Sequence, residues 1–133
     1  MIENIDLTTG ITTDLNIDIN KAQQLFSGSD AFILNIVAAW CSDCTAQAEN
    51  LPAFARLFVD RGVPVYQLNV QDIKNQYLSA EHQALTVKLG GRGYPRTVLM
   101  LNNKSLDANN VEIISGEQLA ALADKFTLLL NNS

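Results

Sequence analysis

The stretch AFILNIVAAWCSDC, Ala31 to Cys44, runs from an apolar segment straight into the only two cysteines of the chain, Cys41 and Cys44. Ala31–Ala38 is almost continuously apolar and contains several β-branched residues, the pattern of a strand buried on both faces. Beyond the cysteines the period changes. Ala48, Leu51, Ala55 and Phe58 recur at spacings of three and four, with Phe54 and Leu57 widening the stripe, which predicts a long helix kinked at Pro52. Gly62 is placed to end it. Pro64–Val70 alternates apolar and polar residues and reads as a second strand. Strand, helix, strand in this order implies a right-handed parallel crossover.

Working outward, residues 1–13 are polar and Thr-rich and read as a loosely packed lead-in. Asn20 is placed to cap a short helix over Lys21–Phe26 that stops at Ser27–Ser29. Residues 72–90 read as helical, with Leu78, Leu85, Val87 and Leu89 as apolar positions and Gly90–Gly91 as the stop. Thr97–Leu101 is a third strand, Asn102–Lys104 a tight turn, and Val111–Ile114 a fourth strand completing a hairpin. Gly116 opens a last helix whose apolar face is Leu119, Leu122, Phe126 and Leu129/Leu130. The order βα, βαβ, α, ββα predicts one α/β domain over residues 1–133, with a central mixed sheet of four to five strands flanked by helices on both faces.

The 133 residues suffice for a sizeable core, and the composition is globular: 47% hydrophobic, 17% charged and a net charge of −5. That charge offers no basic surface to nucleic acid or anionic lipid, and neither is expected as a partner. The apolar run to Trp40 is interrupted by Asn35 and is too short to span a bilayer. The start of the chain, MIENIDLTTG, lacks a positive n-region and an apolar h-region, and the expected setting is cytoplasmic.

Two cysteines separated by two residues can clasp a metal, close a structural disulfide or shuttle electrons. A bridge over so short a loop removes little entropy from the unfolded chain. A structural zinc site needs four ligands, whereas the chain offers two cysteines and one histidine. His82 reads as a solvated residue on a polar helix face. That leaves only a metal shared between chains, and no metal is expected. Cys41 falls between a buried strand and a helix, where free N–H groups and the macrodipole stabilise a thiolate, the attacking species in disulfide exchange. Cys44, one turn on, is placed to resolve the mixed disulfide. Trp40 is a large flat group able to shield the pair and support a docked chain, or else core.

These residues resemble the thioredoxin superfamily: Trp40-Cys41-Ser42-Asp43-Cys44 after a buried strand, then Gly93-Tyr94-Pro95-Arg96-Thr97 directly before a later one. The resemblance covers roughly Asn16 to Leu130. It implies that Pro95 is cis and lies against the cysteines, and that the backbone of Tyr94, with Pro95 and Trp40, receives an extended substrate segment. It also implies a thiol–disulfide oxidoreductase, with Cys41 as nucleophile and Cys44 as resolving thiol. No cofactor is implied, since the dithiol carries the electrons. The implied partners are a disulfide-containing protein substrate and a reductase or low-molecular-weight thiol that regenerates the dithiol.

Several positions depart from the family pattern. Ser42-Asp43 is similar to the Pro-Asp of the cytosolic thioredoxin-related proteins, not to Gly-Pro or Pro-His. The charge of Asp43 disfavours an anion at Cys41, Arg96 is placed to offset it, and a more reducing disulfide is expected. Asn35 stands where thioredoxins carry a buried aspartate, so resolution by Cys44 is expected to be slower, or to rely on water or on an acid such as Glu49. Thr45 replaces the usual lysine. The expected function is reduction of protein or small-molecule disulfides. The alternative is a thioredoxin-like binding module or holdase with little turnover, for which residues 72–90 supply a partner-specific surface.

Overall fold

The structure is a computed structural model that describes residues 15–133 and, in addition, the backbone of two short strands, β1 (Ile5–Asp6) and β2 (Ile11–Thr12), which pair antiparallel. The packing expected of the lead-in 1–13 otherwise lies outside the described residues.

The apolar run forms strand β3 (Phe32–Val37), whose six residues are all buried. It lies inside a four-stranded sheet of order β4-β3-β5-β6. Strand β4 (Val65–Asn69) runs parallel to β3, β5 (Arg96–Leu101) antiparallel, and β6 (Lys104–Val111) closes the far edge. The fifth strand allowed for by the sequence shrinks to an isolated parallel bridge between Asn16 and Gln67.

Side chains of β3 alternate between two cores. Phe32, Leu34 and Ile36 pack with Phe26 of α1 (Ile19–Phe26) and Leu85 of α4 (Ala80–Lys88). Ile33 packs on the opposite face with Leu51, Phe54, Phe58, Leu119, Leu122 and Phe126. Those residues come from α3 (Leu51–Arg56), the turn after it, and α5 (Gly116–Asn131), so helices cover both faces. Each fully buried aromatic or aliphatic side chain contributes about 1.5–3 kcal/mol.

Several elements differ from the sequence expectation, each for a local reason. Helix α1 is capped by Asp18, whose Oδ1 accepts from the Lys21 N–H at 2.8 Å, so Asn20 lies inside the first turn. The long helix is two helices, α2 (Ser42–Ala48) and α3. Pro52 does not kink an interior; it is the second residue of α3, where no N–H is needed. The break rotates the stripe, leaving Ala48 exposed and Leu57 55% exposed, while Gln47 turns fully inward. A 3₁₀ turn, Val59–Arg61, then leads to Gly62, which ends it with φ 68°.

Residues 72–79 are a loop, not a helix. Ser79 caps α4 by accepting from the His82 N–H, and Leu78 and Val87 point outward. His82 is buried, contrary to the expectation of a solvated residue. Its Nδ1 lies 2.7 Å from Ser79 Oγ, and burial pulls its pKa below the usual imidazole value against the nearby Glu81. Strand β6 begins directly after the Asn102–Asn103 turn, both residues having positive φ as a two-residue hairpin requires, and it ends where the fourth strand was expected to start. Its polar sequence had hidden an edge strand. Helix α5 keeps its predicted start, Ser115 and Gln118 forming a reciprocal capping box.

Candidate functional site

Strand β3 ends at Val37, and four residues later Cys41 occupies the N-cap of α2 with extended backbone. Its Sγ accepts a hydrogen bond from the Cys44 N–H at 3.2 Å. The same sulfur lies 3.6 Å from the Tyr94 carbonyl oxygen, to which its S–H donates. Tyr94 reaches this place because the chain turns just before β5 through a cis Tyr94–Pro95 peptide bond. Cys41 and Cys44 are free thiols, both buried. Burial, reinforced by the neighbouring Cys41, pushes the Cys44 thiol strongly up. Cys41 opens into a cleft of about 380 Å³; Cys44 lies behind it.

Trp40 is 38% exposed and stands edge-on to Tyr94, ring centroids 6.0 Å apart. Its orientation is fixed by Gln71, a buried residue just beyond β4. Gln71 Oε1 accepts from Trp40 Nε1 at 2.9 Å and from the Asn75 N–H at 3.0 Å. The 72–79 loop therefore does locate part of the cleft wall, though not as a helix. Lys74 from the same loop places its ammonium 5.4 Å from the Trp40 ring centroid.

Of the residues singled out from sequence, Trp40, Cys41, Ser42, Asp43 and Tyr94 all line the cleft. Pro95 is buried beneath them, and its carbonyl accepts from the Glu112 N–H at 2.8 Å. Arg96 is not at the cleft. Strand alternation buries its guanidinium under Gly90, where Nη1 donates to the Ala108 carbonyl at 2.6 Å and Nη2 to the Arg92 carbonyl at 2.9 Å. It cannot offset Asp43 as expected, and the cations on the cleft wall are Lys74 and Arg92. Glu49 is exposed at the end of α2, and Thr45 Oγ1 bonds back to the Cys41 carbonyl.

Asn35 is fully buried in β3 and forms a reciprocal amide pair with Gln47. Its Nδ2 donates to Gln47 Oε1 at 2.7 Å, while its Oδ1 accepts from Gln47 Nε2 at 3.2 Å and from Thr97 Oγ1 at 2.8 Å. Gln47 Nε2 also donates to the Ile113 carbonyl. Neutral groups satisfy one another here, so this part of the core holds no buried charge.

Sequence reasoning missed Gln47, Gln71, Lys74, Arg92 and Glu112. One signal was available for Gln71: it follows a parallel strand at the same level as Trp40 follows its neighbour, and the carboxyl ends of parallel strands gather functional groups. No group of three or more His, Cys, Asp or Glu able to hold a metal occurs among the described residues, and none of their helices is long and apolar enough to cross a membrane.

Solved structures with the same arrangement include three thioredoxins. The mitochondrial thioredoxin 3 of Saccharomyces cerevisiae, in its oxidised form, superposes with a TM-score of 0.61 at 13% identity over 85% of this chain and 95% of that one. The germline-specific thioredoxin Deadhead of Drosophila melanogaster gives 0.58 at 18% identity, covering 80% and 89% of the two chains. Chlamydomonas reinhardtii thioredoxin f2 gives 0.58 at 16%, covering 85% and 95%.

The chain has the thioredoxin fold.

No family model matches the sequence, and no curated protein is similar to it at the sequence level. The likeness is thus carried by the backbone. On this thioredoxin fold the two thiols sit where β3 meets α2, at the carboxyl end of the parallel pair β3–β4.

Proposed function

We propose that this protein is a thiol–disulfide oxidoreductase that reduces protein or small-molecule disulfides, acting as a single thioredoxin-like domain over residues 1–133 in a reducing, cytoplasmic setting. The observation that carries the reading is Cys41 at a helix N-cap, its sulfur bonded by the Cys44 N–H and open to a cleft. N–H donors at a helix start support negative charge on an attacking sulfur.

The Cys41 thiolate attacks one sulfur of the substrate disulfide. A Cys41–substrate bond forms, and the other substrate sulfur leaves as a thiolate that takes up a proton. Cys44, after losing its own proton, attacks the Cys41 sulfur and releases the second substrate thiol. Two electrons and two protons pass to the substrate, and the protein keeps the Cys41–Cys44 disulfide. A reductase or low-molecular-weight thiol then restores the dithiol. Trp40, Tyr94 and Pro95 form the docking wall. The burial of Cys44 and the neutral Asn35 support resolution as the slower step.

The test is turnover of insulin disulfides with dithiothreitol as donor. The wild-type protein accelerates the reaction, Cys41→Ser abolishes it, and Cys44→Ser accumulates a mixed disulfide through Cys41. Catalysis that persists in Cys41→Ser contradicts the assignment. Partner capture that is unchanged in the double serine variant, with no turnover by the wild type, supports instead the binding-module reading. That reading draws on the exposed Ile73 and Leu78 beside the cleft.

A further inference from the structure

The strand order fixes where the charged groups of the cleft hang. Residues Gln71–Asn75 follow β4 at one edge of the sheet, Trp40–Asp43 follow β3, Arg92–Tyr94 precede β5, and Glu112 follows β6 at the other edge. Because β4 is parallel to β3, β5 antiparallel to β3 and β6 antiparallel to β5, these four segments gather at one end of the sheet. Lys74 and Glu112 therefore follow strands on opposite sides of Cys41, and those strands, β4 and β6, are three strand spacings apart, or roughly 14 Å. Asp43 and Arg92 lie between them and balance in charge.

None of these four side chains is ion-paired among the described residues. Lys74 is held on its flank against the Trp40 ring. Glu112 is held on the other by its N–H bond to the Pro95 carbonyl, with φ 61°, a left-handed conformation that is costly for glutamate and easy for glycine or asparagine. The cleft is locally neutral in a chain of net charge −5, and its outermost charges are opposite in sign. It is not complementary to a uniformly acidic or basic surface. An extended chain advances about 3.3–3.6 Å per residue, so residues two before and two after a docked cysteine span the cleft to both flanks.

We infer that Lys74 and Glu112 are specificity-determining residues, and that the preferred substrate is a cystine in an extended peptide carrying an acidic residue on one side and a basic residue on the other. This rests on the reductase reading above.

Four synthetic peptides test it, each with one cysteine activated as a 2-pyridyl disulfide and with Glu or Lys placed two residues before and two after it, in all combinations. One opposite-sign order is expected to exceed its reverse and both like-charged peptides by about fivefold in kcat/KM at low salt. The preference fades at about 1 M salt. The double variant Lys74→Glu/Glu112→Lys inverts it, which a general loss of activity or stability does not produce. Equal rates for the four peptides, a like-charged winner, or an order unchanged in the double variant overturns the inference. Uncharged hydroxyethyl disulfide separates the two claims. If it is turned over while the peptides react equally, only the charge reading fails; if no disulfide is reduced, the reductase reading fails and this inference falls with it.

Discussion

Asn35→Asp turns the amide pair under the active site into a proton-dependent fault. The residue is fully buried, and its Nδ2 donates to Gln47 Oε1 at 2.7 Å and to Gln67 Oε1 at 3.3 Å. A carboxylate there sets oxygen against two acceptor oxygens. Gln47 cannot flip to relieve this, because its Nε2 also serves the Ile113 carbonyl at 2.9 Å. A protonated carboxyl keeps the bond to Gln47, so the folded protein holds the proton while the unfolded chain releases it near pH 3.9. Each pH unit above that value costs about 1.36 kcal/mol, which makes about 4 kcal/mol at pH 7 and about 1 kcal/mol at pH 4.5. Ionising in place, with the charge unpaired in the core, costs more, so protonation wins. The sign follows: the folded-state pKa is raised, the deficit is absent below the unfolded value, and it grows as pH rises. Urea unfolding of wild type and variant, followed by emission of the sole tryptophan, reads the difference at both pH values. A difference that is the same at pH 4.5 and pH 7, or below about 1 kcal/mol at pH 7, refutes the network described here.

Three further outcomes are expected. Gln71→Met removes the acceptor shared by Trp40 and Asn75; disulfide turnover falls about 3- to 10-fold, in line with loss of the bond that orients Trp40, and Trp40 emission shifts to the red. Unchanged emission would mean that Gln71 does not position the indole. Gly90→Ala sets a Cβ 2.6 Å from Arg96 Nη1 at φ +125°, costing about 2–3 kcal/mol in urea unfolding, whereas Gly91→Ala meets no atom within 4 Å and costs less. Asp107 is pushed up by burial but more strongly down by hydrogen bonds from Lys125, Asn110 and the Asn109 N–H. Its contribution is therefore present above about pH 3.9 and lost as pH falls through its lowered folded value. Asp107→Asn should cost up to about 1 kcal/mol at pH 7, since Lys125 is half-exposed, and progressively less as pH falls below about 3.9.

What could be read from the sequence was what depends on one element at a time. Phe32–Val37 announced itself by unbroken burial, and the cysteines by their place at its end. The apolar face of Leu119, Leu122, Phe126 and Leu129/Leu130 announced the last helix. What could not be read depends on two elements meeting. A 3.6-residue period put Ala48 inward, but the pair with Asn35 and the Ile113 carbonyl draws Gln47 in, and the helix re-starts at Leu51 to allow it. Residues 72–79 looked helical because the bonds that hold the loop, Gln71 to Trp40 and to Asn75, cross to another segment or cap a positive-φ turn. Arg96 looked like a cleft cation because it stands beside Pro95, yet the pleat of β5 sends it to the carbonyls of Arg92 and Ala108. The edge strand β6 lacked an apolar signature because most of it faces solvent.

The central claim is that Cys41 and Cys44 form a reducing dithiol, and the reduction potential of that pair tests it most directly. Equilibration in dithiol redox buffers, with Trp40 emission as the readout, is expected to give a value near about −270 mV. A value above about −180 mV, or the absence of any Cys41–Cys44 disulfide at any poise, would contradict it.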